Sequence, residues 1–123
     1  MADTRQQFGR QGEELAMAHL RKKGYKVIEC NYRTRAGEID IIARHKGCIV
    51  FVEVKTRRSG RYGHPKSAVT ARKQRKISMV ALEYLKKHRL MQASARFDVV
   101  TVQSANSENT VEIIPNAFEL AYG

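Results

Sequence analysis

The chain has 123 residues, enough to bury one hydrophobic core and too few for two, so a single domain spanning 1–123 is expected. Lys and Arg outnumber Asp and Glu by 23 to 12, and the resulting net charge of +11 attracts polyanions and makes any acidic residue at an apolar position conspicuous. A hydrophobic content of 42% argues against a disordered chain, and no apolar run approaches the length of a membrane span. The Met-Ala-Asp-Thr-Arg start has no apolar signal region, so a cytoplasmic location is the expectation. Cys30 and Cys48 show no CxxC spacing and no neighbouring histidine cluster. They read as reduced core residues rather than zinc ligands or a disulfide.

Phe8, Gly12, Leu15, Ala16, His19 and Leu20 recur at offsets of three and four, which predicts a helix over about Thr4 to Lys23, closed by Lys22-Lys23-Gly24. Tyr25 to Cys30 reads as a strand. Gly37 to Ala43 and Cys48 to Lys55 form a predicted hairpin, and the second of these strands is apolar on both faces, so it belongs in the middle of a covered sheet. The Gly- and Arg-rich stretch from Thr56 to Lys66 predicts a mobile basic loop. Ile77, Val80, Ala81, Tyr84 and Leu85 define a second helix from about Thr70 to His88, with Thr70 as N-cap. Arg96 to Val102 and Val111 to Ile114 read as two last strands. The order αβββαββ implies an α/β domain with a mixed sheet.

Ile49, Phe51, Glu53 and Lys55 share one face of the apolar strand, because side chains alternate along a strand. If Ala43 pairs with Cys48, Asp40 lies opposite Phe51 and diagonal to Glu53 on that face, within reach of one bridging cation. Two carboxylates on a largely apolar face repel each other and are poorly hydrated, a conflict that a divalent metal resolves. Mg²⁺ (or Mn²⁺) uses one or two protein carboxylates and leaves its other positions to water and phosphate, and it polarises a phosphoryl oxygen. Lys55, beside the acidic pair, is placed to orient water or to stabilise charge growing on phosphorus. Taken singly, Glu53 and Lys55 also read as an ordinary same-face ion pair, and Asp40 as a solvated hairpin residue.

The segments Gly9-Arg10-Gln11-Gly12-Glu13, Gly37-Glu38-Ile39-Asp40 and Phe51-Val52-Glu53-Val54-Lys55-Thr56-Arg57, with Lys73 on the next helix, together resemble the bacterial YraN-like family. That family is similar to archaeal Holliday-junction resolvases and to the wider restriction-endonuclease-like, PD-(D/E)xK superfamily. The resemblance covers nearly the whole chain. It implies a restriction-endonuclease-like domain, a five-stranded mixed sheet flanked by helices, in which Asp40 and Glu53 are metal ligands, Lys55 is the catalytic lysine and Glu13 is a fourth acidic member reaching in from the first helix. From the residues alone, Glu13 and Glu14 are equally helix charges that favour the positive dipole end. The superfamily's proline before the aspartate is absent, since Ile39 precedes Asp40.

Arg57, Arg58, Arg61 and Lys66, with Tyr62 available for stacking, are candidate phosphate contacts, although a charge run is commonly just a solvated surface. Lys73 and Gln74 lie on the helix stripe that faces the sheet, so both can point toward the site, with Lys73 a further nucleic-acid contact; Lys73 reads equally as a side chain that snorkels from the helix end into solvent. Asp98, inside an apolar strand, reads as a structural carboxylate bonded to backbone amides or to an Arg. The function expected is a metal-dependent endonuclease acting on DNA in preference to RNA, selective for branched substrates and working as a homodimer. The alternative is a nucleic-acid-binding protein that keeps the fold and does not cleave.

Overall fold

The computed structural model of the chain describes residues 4–58, 69–105 and 108–119, the side chains of 4–9, 58 and 105 excepted. Two helices, α1 (Thr4–Lys22) and α2 (Ala71–Lys87), accompany five strands: β1 (Lys26–Thr34), β2 (Gly37–His45), β3 (Cys48–Arg58), β4 (Ala95–Ala105) and β5 (Glu108–Phe118). The sheet runs β1-β2-β3-β4-β5. Only β3 and β4 pair in parallel, and α2 makes the crossover between them. The order αβββαββ and the mixed sheet are as the sequence led us to expect.

The apolar strand β3 sits at the centre because it offers hydrophobic side chains to both faces. Ile49 and Phe51 pack with Ile42, Phe97 and Val99 against Ile77, Val80, Ala81, Tyr84 and Leu85 of α2. Val50 and Val52 pack with Ile41, Ala43, Val100 and Val102 against Ala16 and Leu20 of α1. Thr70 caps α2 from an extended conformation, its hydroxyl accepting the Lys73 N–H at 3.2 Å. Among the described residues, no helix is long and apolar enough to cross a membrane.

Three local expectations need correction. The β2–β3 register pairs Ala43 with Val50 and His45 with Cys48, two residues away from the pairing of Ala43 with Cys48. The cause is a two-residue turn, Lys46-Gly47, with φ of 50° and 77°. Two consecutive positive φ values characterise the hairpin turn whose twist matches that of the strands it joins. The stretch expected to begin the basic loop is strand instead: Thr56, Arg57 and Arg58 extend β3 beside Val102, Gln103 and Ser104 of β4. Polar residues at a strand end break the hydrophobic pattern without ending the ladder; the rest of that loop, from 59 to 66, lies outside the described residues. Neither cysteine is a core residue. Cys30 is exposed on the edge strand β1 and touches the Met17 sulfur, and Cys48 is half-buried; both are free thiols.

Asp98 is fully buried and closes a polar cluster on the α1 side of the sheet. It accepts from Arg96 Nε at 3.0 Å, from the Tyr25 hydroxyl at 2.7 Å and from the Asn116 backbone N–H at 2.9 Å. Arg96 also reaches His45 Nδ1 at 2.7 Å, and the His45 ring stacks on Tyr25 with centroids 4.0 Å apart. The reading of Asp98 as a structural carboxylate is therefore the one observed. It ties the end of α1 to β2, β4 and β5 at the start of β4, below the end of β3 where the acidic residues gather.

Candidate active site

The β2–β3 ladder ends at Ile41 and Val52. One step further in that register brings Asp40 level with Glu53, on adjacent strands rather than on a diagonal. The β1–β2 pairing records Cys30 with Ile41 and Tyr32 with Ile39, which leaves Asn31 level with Asp40. Asn31, Asp40 and Glu53 thus form one row across three strands. The row is irregular: Asn31 has φ 53°, and Ile39 and Ile42, an odd spacing apart, both pack on the α2 side. Regular alternation is broken at Asp40–Ile41, and the freed Val54 N–H is taken by Asp40 Oδ2 at 2.8 Å. A backbone donor that would serve the ladder instead holds the carboxylate in place.

Glu53 is only 5% exposed, and two ammonium groups share its Oε1. Lys55, two residues along the same face, stands 3.6 Å away, and Lys73, from the first turn of α2, is in direct contact. Burial, and then the Glu53 charge, push the Asp40 carboxyl up to about 7, against the pull of the Val54 N–H. Glu13 is raised as well, first by burial, while its bond from Asn31 works the other way and Glu38 and Glu53 add repulsion. Burial, then the neighbouring Lys73 ammonium, lower Lys55. Burial also opposes the Lys73 charge, but contact with Glu53 more than offsets it and Lys73 is raised. The site therefore crowds like charges in both senses, an arrangement found where a fold serves chemistry more than stability.

Gly12 explains how Glu13 reaches this row. A Cβ on Gly12 would overlap the Thr56 methyl and lie 3.3 Å from Thr56 Cβ, so α1 crosses the end of β3 at a distance only glycine allows. Gly12→Ala is expected to destabilise the protein by about 1–2 kcal/mol, because overpacking outweighs the better helix propensity of alanine. It also moves Glu13 away from Asp40. Thermal unfolding of Gly12→Ala beside Gly12→Ala/Thr56→Ser checks this, since removing the Thr56 methyl should restore most of the loss; no rescue would locate the strain elsewhere.

Of the residues the sequence singled out, Glu13, Asp40, Glu53, Lys55 and Lys73 come together. Gln74 does not: its side chain donates to the Val69 carbonyl at 2.9 Å and helps close the start of α2. Arg57 lies half-buried on β3, level with Gln103. Arg58 follows it in the strand, and Arg61, Tyr62 and Lys66 lie outside the described residues. Asn31 was missed. Its only sequence signal is an asparagine in a strand, a residue type that tolerates positive φ. The first turn of α2 holds no acidic residue, while Arg72, Arg75 and Lys76 are exposed around Lys73. Cations there oppose the helix dipole and leave the rim of the site uniformly positive.

Among the described residues, no three His, Cys, Asp or Glu side chains gather as a complete metal cage. The donor set is the Asp40–Glu53 pair, with Glu13 within electrostatic reach of both. Hard oxygen donors in that number suit Mg²⁺ or Mn²⁺, which retain water in their remaining positions. The fit lies in the donor set itself: Asp40 and Glu53 offer hard oxygen donors, and a neighbouring cation would supply the charge that burial and Glu53 leave uncompensated at Asp40.

The sheet order, the two flanking helices and the acidic row with its lysine at the end of the central strand define an α/β protein with a restriction-endonuclease-like fold. The chain belongs to the Uncharacterised protein family UPF0102, which matches residues 12–102. It is similar to the UPF0102 protein of Geobacter metallireducens, 54% identical over 115 residues that cover 94% of each chain. The UPF0102 protein of Trichlorobacter lovleyi is 54% identical over 119 residues, 95% of this chain and 94% of that one. That of Desulfosudis oleivorans is 53% identical over 119 residues, 97% and 95% of the two chains. These names carry a family and no activity, so the chemistry of the site has to supply the function.

Proposed function

We propose that this protein is a divalent-metal-dependent endonuclease that hydrolyses DNA phosphodiester bonds, with branched DNA as its preferred substrate. The observation that carries the proposal is the convergence of two carboxylates just past the end of the ladder: Asp40, held by the Val54 N–H at 2.8 Å, feels the charge of Glu53, and Lys55 stands 3.6 Å from Glu53 along the same face. A strand end with two poorly hydrated carboxylates and a half-buried lysine has little structural merit. It has good chemical use.

In this reading Asp40 and Glu53 supply oxygen ligands to Mg²⁺ or Mn²⁺, and Glu13 adds negative charge from the α1 side. When bound there, the ion would supply Lewis acidity for phosphodiester hydrolysis. Lys55 donates to the attacking water or to a phosphoryl oxygen, where a fixed charge in a partly buried site is most effective. The Val54 N–H holds Asp40 at its register, so the ligand pair is preorganised by backbone. Arg57, Arg72, Lys73 and Lys76 contact flanking phosphates, which fixes position on the duplex without reading sequence. Two strands of a branched substrate require two such sites, supplied by a symmetric dimer.

The test is cleavage of labelled four-way junctions, flaps, single strands and linear duplex in Mg²⁺, Mn²⁺ or EDTA. Cleavage is expected with either metal, fastest on a branched substrate and absent in EDTA. Cleavage unchanged by EDTA or by Asp40→Ala would remove the proposal. Light scattering that gives one copy with and without DNA would remove the dimer and leave the nuclease standing.

A further inference from the structure

Lys73 stands where the metal would have to work. It contacts Glu53 Oε1, the same oxygen that Lys55 approaches from 3.6 Å. A carboxylate this deeply buried is costly without a cation, and two lysines provide that compensation in the protein alone. They do so differently. Lys55 is rooted in β3 beside Glu53, with a side chain 25% exposed. Lys73 comes from another element, its side chain 40% exposed. Its backbone N–H is fixed by the Thr70 cap, so the root stays and the flexible four-carbon stem is free to swing toward solvent.

Resting on the nuclease reading above, we propose that Lys73 is an exchangeable counter-ion that fills the place beside Glu53 until a phosphate draws it away, so that metal and nucleic acid bind cooperatively. A dication at Asp40–Glu53 repels an ammonium held against the same carboxylate; one of them must leave, and Lys73 is the more accessible. It leaves most readily when an anion waits for it. Arg72, Arg75 and Lys76 stand exposed around Lys73 with no acidic residue in that first turn, so a phosphate approaching the site meets cations there. The phosphate that accepts Lys73 therefore releases Glu53 to the metal, which limits metal loading in the absence of substrate.

The experiment is calorimetric titration of the full chain with Mn²⁺, alone and with a phosphorothioate oligonucleotide that resists cleavage. Wild type is expected to bind Mn²⁺ weakly alone and at least about fivefold tighter with the oligonucleotide. Lys73→Met and Lys73→Gln should each bind Mn²⁺ alone about three- to tenfold tighter than wild type, with little further gain from the oligonucleotide. Lys73→Arg, which keeps the charge, should stay near wild type. Unchanged or weaker Mn²⁺ binding in folded Lys73→Met and Lys73→Gln would overturn the counter-ion role. Glu53→Gln separates the two ideas: if it leaves Mn²⁺ binding intact, the metal site itself is wrong. If it abolishes binding while the Lys73 variants change nothing, only the counter-ion role falls.

Discussion

Asp40→Asn is expected to abolish metal-dependent cleavage and, at pH 8, to stabilise the metal-free protein. On the proposed function the activity loss should be about a thousandfold or more, because one of the two proposed ligands is exchanged for a neutral amide and the Lewis acid would be lost with it. The stability gain follows from the raised carboxyl. The folded state holds the Asp40 proton up to about pH 7, whereas the unfolded chain releases it near its ordinary 3.8. Between those values the native state binds more protons than the unfolded one, so this group costs the wild type stability as pH rises through the window. The full shift corresponds to about 4 kcal/mol, an upper bound because part of it comes from neighbouring carboxylates rather than from burial alone. An amide oxygen can still accept the Val54 N–H, so the backbone bond survives the exchange. A gain of about 1–3 kcal/mol at pH 8 that vanishes near pH 4 is the expected outcome of denaturant unfolding across pH. Equal stability of the two proteins at both pH values would mean that Asp40 is not held against its charge.

The largest loss of stability is expected at the other polar cluster. Asp98→Ala removes the acceptor shared by Arg96, the Tyr25 hydroxyl and the Asn116 N–H, and leaves a guanidinium without its carboxylate in a half-buried position. Breaking one side of such a pair costs about 3–5 kcal/mol. Against a typical total of about 5–15 kcal/mol, that is enough to leave the variant partly unfolded at moderate temperature. Denaturant midpoints of wild type and Asp98→Ala measure it. Asp98 touches none of Glu13, Asp40, Glu53 or Lys55, so metal-dependent cleavage per folded molecule should be unchanged at low temperature. A thousandfold loss in a variant that is still folded would instead place Asp98 in the catalytic chain.

The contrast between these residues shows what the sequence made legible. Periodicity located both helices and all five strands, because each helix covers one face of a sheet whose central strand, β3, is apolar throughout. Thr70 was readable as a cap since capping is local. The Asp40–Glu53 register was not readable, because it depends on how many residues the Lys46-Gly47 turn consumes, a matter of backbone dihedrals. Asn31 escaped because its role is to leave the ladder, and pattern reading assumes a ladder. The partners of Asp98 lie up to 73 positions away in Tyr25, beyond the reach of any local rule. Lys73 points inward, one of the two outcomes its helical stripe left open, while Gln74, one residue later on the same stripe, turns to the Val69 carbonyl and satisfies a backbone acceptor there.

The measurement that bears most directly on the site is the single-turnover cleavage rate of wild type and Lys55→Ala on a labelled four-way junction at saturating Mn²⁺. Lys55 is not one of the proposed metal ligands, so at saturating Mn²⁺ the variant should load metal as wild type does and lose only the donor beside the proposed ligand pair. The rate is expected to fall by about a hundredfold or more, the effect of removing one fixed donor from a water-poor site. Equal rates for the two proteins, with metal bound in both, would contradict the account and move the chemistry away from the end of β3.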